Sequence, residues 1–307
     1  VNDASSDASV EIIGQSFKEE LIHPSKHSFN YQLLQNKRAS NSPKKDAITT
    51  AIHQVASEWI LTTDADCVLP ENWLVSLDDF IQYKQPQMVV GPVNYEVNNT
   101  FFEHFQLFDF LSLQGSTIGG FGIKKPFLCN GANLAYKKSS FLNLNGFKGN
   151  TAIASGDDVF LLEKFINDNP NDVCFLKGQE AIVRTQPVST FNALLHQRMR
   201  WAAKTSAYNL KFPKLVGSVV FLTNLVMVLS CFATFLGLKY MLFYAIILLF
   251  KCVVDWFLLT KSIRFFQHQR YVKSYILSSF IYPFFTVFIL FNTILCSYEW
   301  KERTFKQ

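Results

Sequence analysis

Charge is scarce in this sequence of 307 residues: 17% is Asp, Glu, Lys or Arg, against about a quarter in a typical soluble domain. Cysteine is scarce too, with six in the chain and no CxxC pair, which excludes a small disulfide scaffold. The thiols at 67, 129, 174, 231, 252 and 296 have no metal-ligand spacing and read as reduced. Neither an internal repeat nor a low-complexity tract is visible. What is abundant is apolar surface: 49% of the residues are hydrophobic and 31 are Phe, far too much for a disordered chain. The length suits one large domain or two of roughly 150 residues.

The net charge of +5 is unevenly placed. Residues 1–214 carry 20 Lys and Arg against 21 Asp and Glu, whereas residues 215–307 carry 9 against 3. A basic balance can signal nucleic acid. Here the bases lie between long apolar runs, which points to a membrane surface and excludes a nucleic-acid partner. Residues 215–238 and 274–296 hold no charge at all, and residues 240–260 hold only Lys251 and Asp255. About 20 apolar residues cross a bilayer as a helix, so each run is long enough. Lys251 and Asp255, four apart, share one helix face and are expected to pair inside the bundle. The connector 261–273 carries Lys261, Arg264, Arg270 and Lys273, and the positive-inside rule places it in the cytoplasm. Two passes earlier, residues 1–214 fall on the same side. Lys301, Arg303 and Lys306 in the tail argue against a third full pass, and Pro283 could break the last run into a re-entrant shape.

Residues 1–210 alternate helix and strand signals, which predicts an α/β sheet. Val10, Ile12, Ile13 and Phe17 suit a short amphipathic helix, and Ala47, Ile48, Ala51, Ile52 and Val55 follow helical spacing more clearly. Strands are expected at 59–63, 88–93, 173–176 and 181–184, and helices at 71–83 and 190–210. The aromatic segment 101–113 suits a bilayer interface and a packed core equally well. The opening Val1-Asn2-Asp3-Ala4-Ser5 reads as a strand end running into a turn, so an upstream segment is expected.

Three groups of residues could carry chemistry. Asp64 and Asp66 follow the strand at 59–63, and ligands of open α/β sheets bind beyond the carboxyl ends of strands. Two carboxylates there can hold a hard divalent cation whose remaining ligands are phosphate and water. Asp157 and Asp158 open a helix, where plain capping would also favour acids; as chemistry, one could take a proton from a hydroxyl nucleophile. Gln197, Arg200 and Trp201 share a helix face. Arg offers a fork for phosphate oxygens and Trp a flat wall for a sugar ring. A juxtamembrane helix snorkelling at the headgroups would look the same.

Taken in order, Asp3 in Val-Asn-Asp-Ala-Ser-Ser-Asp, Asp64-Ala-Asp66, Asp157-Asp158 and Gln197-Arg-Met-Arg200-Trp201 resemble the motifs of the family 2 glycosyltransferases. The resemblance spans residues 1–201, and apolar helices after it also fit. It implies a GT-A fold, with a mixed, mostly parallel sheet flanked by helices, over a catalytic domain at 1–212 whose start is missing. A membrane region at 213–307 with about three transmembrane helices follows. It implies a nucleotide-sugar donor, a UDP-sugar above others, a lipid or glycan acceptor, and Mg²⁺ or Mn²⁺. The setting it implies is a multi-pass protein of a bacterial inner membrane with its catalytic domain in the cytoplasm.

Position by position, Asp3 resembles the acid at the donor nucleoside, and Lys45 the basic position near the nucleotide. Asp66 resembles the metal ligand, with Asp64 beside it near the ribose or sugar. Asp158 resembles the catalytic base. Asp157 stands where the family has Glu. Gln197, Arg200 and Trp201 resemble the QxxRW motif that closes over diphosphate and acceptor, and residues 129–133 resemble the loop lining the acceptor side. Other readings stay open: a processive polysaccharide synthase, a metal phosphohydrolase using the same acids, and a non-enzymatic membrane protein with a related domain.

Overall fold

The computed structural model describes residues 1–22, 31–151, 155–300 and 303–305. Contacts divide the chain into two compact units, Val1–Ile60 with Lys137–Asp157, and Leu61–Tyr136 with Asp158–Gln307.

The first unit holds helices α1 (Ser9–Ile22), α2 (Pro43–Gln54) and α5 (Lys138–Asn143). The expected opening strand is reduced to one parallel bridge, Asn2 with Gln35. Pro43 starts α2, where its missing N–H costs nothing. The Asp46 carboxylate holds the loop before that helix by accepting from the Ala39 and Ser40 amides and the Ser40 hydroxyl. Phe141 of α5 packs edge-on to Phe147 at 5.2 Å, and Gly146 turns between them at φ +46°.

The second unit carries most of the sheet. Strands β1 (Trp59–Thr62), β2 (Met88–Val90), β4 (Leu134–Lys137) and β5 (Val173–Phe175) lie in the order β1-β4-β2-β5. The ends of β1 and β4 reach into the first unit. β2 runs antiparallel to β4, with Val89 opposite Ala135, and parallel to β5, with Val89 opposite Cys174. A second parallel pair joins β3 (Val93–Tyr95) to β6 (Val183–Thr185). The sheet is therefore mixed, flanked by α3 (Trp73–Lys84), α4 (Phe101–Gly122), α6 (Asp157–Asp168) and α7 (Phe191–Ser206). The single strand expected at 88–93 is two. Gly91 still follows the β2–β4 register, its amide donating to the carbonyl of Asn133 at 2.8 Å, but Pro92 has no N–H to carry the ladder further. The chain changes sheets there with Met88, Val89, Val90 and Val93 fully buried.

The aromatic segment is core. Thr100 caps α4 by accepting from the Glu103 amide at 3.3 Å, and the Glu103 carboxylate accepts from the Asn98 amide, which fastens the loop before the helix. From His104 to Leu111 the helix is buried on every side. Phe110 stacks on Tyr95 at 4.2 Å.

Three helices are long and apolar enough to cross a membrane, as spans Lys211–Leu236, Leu238–Phe265 and Gln269–Leu295. Their cores are α8 (Lys211–Ala233), α9 (Leu238–Phe265) and α10 (Tyr275–Leu295). The expected domain boundary after residue 212 falls in the first turn of α8. Gly237, at φ +132°, makes the sharp joint between α8 and α9. Pro283 stays inside a continuous α10 and does not break it. Lys251 and Asp255 pair as their spacing predicts. A short antiparallel pair, β7 (Tyr298–Trp300) with β8 (Arg303–Phe305), follows; Lys301 and Lys306 lie outside the described residues.

Candidate active site

In the first unit, Asp3 forms a two-point bond with Arg38, 2.8 Å from each carboxylate oxygen, and accepts from the Asn36 amide at 2.7 Å. This fork geometry is the strong form of a charge-assisted pair, and the bond to Asp3 raises the Arg38 guanidinium above its ordinary value. Lys45, expected near a nucleotide, is 1% exposed and donates to the Asn150 carbonyl at 2.7 Å. It lines a cavity of about 440 Å³ with Asp46 and His53. Its neighbour Lys44 pairs with Asp157 at 3.3 Å, which gives the off-pattern acid a partner.

In the second unit, the DxD turn follows β1. The Cys67 amide closes it on the Asp64 carbonyl at 3.1 Å, and paired bonds between Val68 and Arg184 fasten it to β6. Asp66 is exposed and Asp64 half-buried. Burial, with the Asp64 and Asp66 charges behind it, pushes the Cys67 thiol up, so the turn carries a negative field. Two hard oxygen donors on an open turn suit Mg²⁺ or Mn²⁺, whose shell needs only one or two protein carboxylates. Among the described residues no three His, Cys, Asp or Glu side chains form a complete ligand cage.

Asp158 lies in the first turn of α6, after Gly156 at φ +81°. One carboxylate oxygen accepts from the Gly131 amide at 3.3 Å, and the other lies 3.7 Å from the Lys204 ammonium. The carboxylate is thus held between the 129–133 loop and α7. The same loop is tied to β1, where the Thr62 hydroxyl donates to the Gly131 carbonyl at 2.8 Å. Asn133 is its buried hub: it accepts from the Trp73 indole at 3.0 Å and donates to the carbonyls of Pro92 and Ala181 at 2.8 Å each. Sequence reasoning missed Lys204. It stands three residues after Trp201 and seven after Gln197, so extending the helical spacing one turn would have found it.

Thr190 caps α7 by accepting from the Ala193 amide at 3.2 Å. Arg200 and Trp201 are half-buried. Arg198, between the motif positions, is the anchor of the helix. Its Nε donates to Asp109 of α4 at 2.5 Å, its Nη1 donates to Gln197, and its plane lies 4.2 Å from the Trp201 ring. Burial pulls the Arg198 guanidinium down, and Asp109 and Tyr95 outweigh that pull, leaving it raised. Burial in turn pushes the Tyr95 phenol up.

Residues 59–295 match the family described as Glycosyl transferase family group 2, and the chain belongs to that family. No curated protein matches the chain. Among solved structures, the crystal structure of S. aureus TarS 1-349 is similar at 13% identity and a TM-score of 0.39. That similarity covers 68% of this chain and 56% of that one, so the chain spans just over half the length of that structure.

Proposed function

We propose that the chain is an inverting glycosyltransferase that moves a sugar from a nucleotide-diphosphate donor, a UDP-sugar, to a hydroxyl of a lipid or glycan acceptor. The observation that carries this reading is the setting of Asp158. Its carboxylate is held by the Gly131 amide of the loop 129–133 on one side and by Lys204 of the Gln197–Trp201 helix on the other. A carboxylate so held can take the acceptor's proton as its oxygen attacks the anomeric carbon. Attack on the face opposite the leaving diphosphate inverts that carbon. Charge then develops on the diphosphate, and Arg200 is suited to meet it. Asp66, with Asp64, would hold Mg²⁺ or Mn²⁺, which supplies further stabilisation of that charge. Asp3 and Lys45 are assigned to the nucleotide by resemblance. The three spans and the basic stretch 261–273 support a multi-pass protein with its catalytic part at the cytoplasmic face of a bacterial inner membrane.

The test is calorimetric titration of the full chain with a panel of nucleotide sugars, with and without Mg²⁺, alongside transfer assays on Asp158→Asn. Donor binding that survives in Asp158→Asn while transfer disappears supports the base assignment. Wild-type turnover in that variant sinks it. Phosphate or nucleotide release with no acceptor present would favour a phosphohydrolase, and no donor binding at all would favour a non-enzymatic protein.

A further inference from the structure

The last apolar helix, α10, differs from the two before it. Within the most apolar stretch of each span, 39% of the third is buried inside the protein, against 17% and 11% of the first two. α10 is two-faced. Tyr275, Ser279, Phe285, Ile289 and Thr293 are buried along one side. Ile276, Phe280, Phe288, Phe291 and Leu295 form an exposed stripe along the other, broken only at the buried Val287. Its 21 residues reach about 31 Å, enough for a crossing, so length does not decide its course.

Its ends do. α10, the connector before it and the strand after it share the second unit with α4 and α7. The connector is fastened to the α/β part. His268 Nε2 lies 2.8 Å from Asn94 Oδ1 of β3, the Tyr271 hydroxyl donates to the Val97 carbonyl at 3.0 Å, and the Ser274 hydroxyl is 2.8 Å from His104 Nδ1. The middle of α10 rests on α4 and α7, with Phe285 and Ile289 against Phe105, Leu194 and Met199. After α10, β7 packs on α7 again. α7 does not suit hydrocarbon: it carries His196, Arg198, Arg200 and Lys204, and its Lys204 ammonium is 3.7 Å from Asp158. Both ends of α10 therefore meet the α/β part.

α9 marks the level of the bilayer boundary. Its 28 residues reach about 42 Å, more than a hydrocarbon core of about 30 Å. It starts at the Gly237 joint, so the excess falls at its other end, where Lys261 and Arg264 lie. About 20 residues from that joint brings the boundary to Trp256, whose ring is 5.1 Å from that of Tyr275. α10 thus begins at the boundary. It also packs on α8, whose span of 26 residues likewise exceeds the core. Both flanks are basic, with Arg270 and Lys273 before α10 and Lys301, Arg303 and Lys306 after it, as a shared side predicts.

We propose that α10 does not cross the bilayer but lies in the leaflet that faces the α/β part. Its exposed stripe takes acyl chains as its partner, as the outer faces of α8 and α9 do, and the tail returns to the side of the α/β part. The chain then crosses twice. This topology stands whether or not the chain transfers sugar.

The experiment expresses the full chain with Tyr83→Cys and Thr304→Cys in a bacterial host. Spheroplasts and inverted membrane vesicles are treated with a membrane-impermeant maleimide, and the modified peptides are mapped. Tyr83 is 78% exposed on α3 and marks the side of the α/β part. The thiols at 83 and 304 should react in the same preparation, whichever it is. Reaction in opposite preparations means a third crossing and overturns the proposal. Depth gives a second reading that decides alone if the thiol at 304 is shielded. Nitroxides on Ile276→Cys, Phe288→Cys and Ile294→Cys, all exposed positions, should lie at one depth, about 5–10 Å into the leaflet. A label near the midplane at 288, with shallow labels at 276 and 294, is the profile of a crossing helix and equally overturns it.

Discussion

Removing Asp109 offers a direct measure of what holds the Gln197–Trp201 helix in place. The Asp109 and Arg198 side chains are 8% and 6% exposed, with 2.5 Å between donor and acceptor. Breaking such a pair from one side leaves a buried charge and costs about 3–5 kcal/mol. Arg198 keeps Gln197 and the face of Trp201 in Asp109→Leu, which sets the expectation at the lower end, about 3 kcal/mol. In a chain of this size that is a fall in melting temperature of about 5 °C. The double variant Asp109→Leu/Arg198→Met removes both charges. It should recover most of the loss, short by about 1 kcal/mol for the cation–π contact with Trp201. Melting in detergent micelles followed by tryptophan fluorescence reads all three chains. If Asp109→Leu melts within about 2 °C of the parent, or the double variant is no more stable than the single, the pair does not anchor α7.

Two further predictions concern the scaffold. A Cβ added at Gly91 would stand 2.3 Å from the side-chain atoms of Asn133, so Gly91→Ala should disrupt that residue's three hydrogen bonds and cost at least about 2 kcal/mol. Gly119→Ala, with nothing within 4 Å of the new atom, is the control and should be neutral or mildly stabilising in a melting assay. His268 makes stability depend on pH. Burial, with Arg270 nearby, lowers its pKa from 6.5 to about 4. Its contribution is complete above pH 6.5 and is lost as pH falls towards 4, because the unfolded chain takes the proton first. Melting temperature plotted against pH should fall less steeply across that window in His268→Gln, and identical slopes would remove His268 as the cause.

Much of the scaffold is legible where period or length is long. The spacing of Ala47, Ile48, Ala51 and Ile52 marks α2, and three runs above 20 residues mark α8, α9 and α10. The missed strand β4 is only Leu134-Ala-Tyr-Lys, too short for alternation to separate it from a turn. The break at Gly91-Pro92 is visible as two residues, but the need for glycine there, the Asn133 side chain 42 positions later that leaves no room for a Cβ, is not. Adjacent lysines posed the same difficulty. Nothing in Lys44-Lys45 says that the second is buried on a carbonyl while the first pairs with Asp157. Interface and core packing suited 101–113 equally because both want aromatics; the partners Tyr95 of β3 and Phe285 of α10 bury its middle against the sheet and a membrane-region helix alike.

Those partners also explain why sequence motifs and membrane spans occur in one fold. Phe105 of α4, Leu194 and Met199 of α7, and Phe285 and Ile289 of α10 form a single apolar cluster. The helix bearing Arg200 and Trp201 is therefore seated on a span as well as on the α/β layer. Glu163 of α6 accepts from the Asn209 and Leu210 amides at 3.1 Å each, so the helix that presents Asp158 is tied to the entrance of α8. Both helices that carry the proposed chemistry take their position from the helices of the membrane region. Loosening the span packing should then lower turnover before the sheet melts, which a detergent series comparing sugar transfer with sheet circular dichroism would show; parallel loss of the two would mean that the spans only anchor the chain.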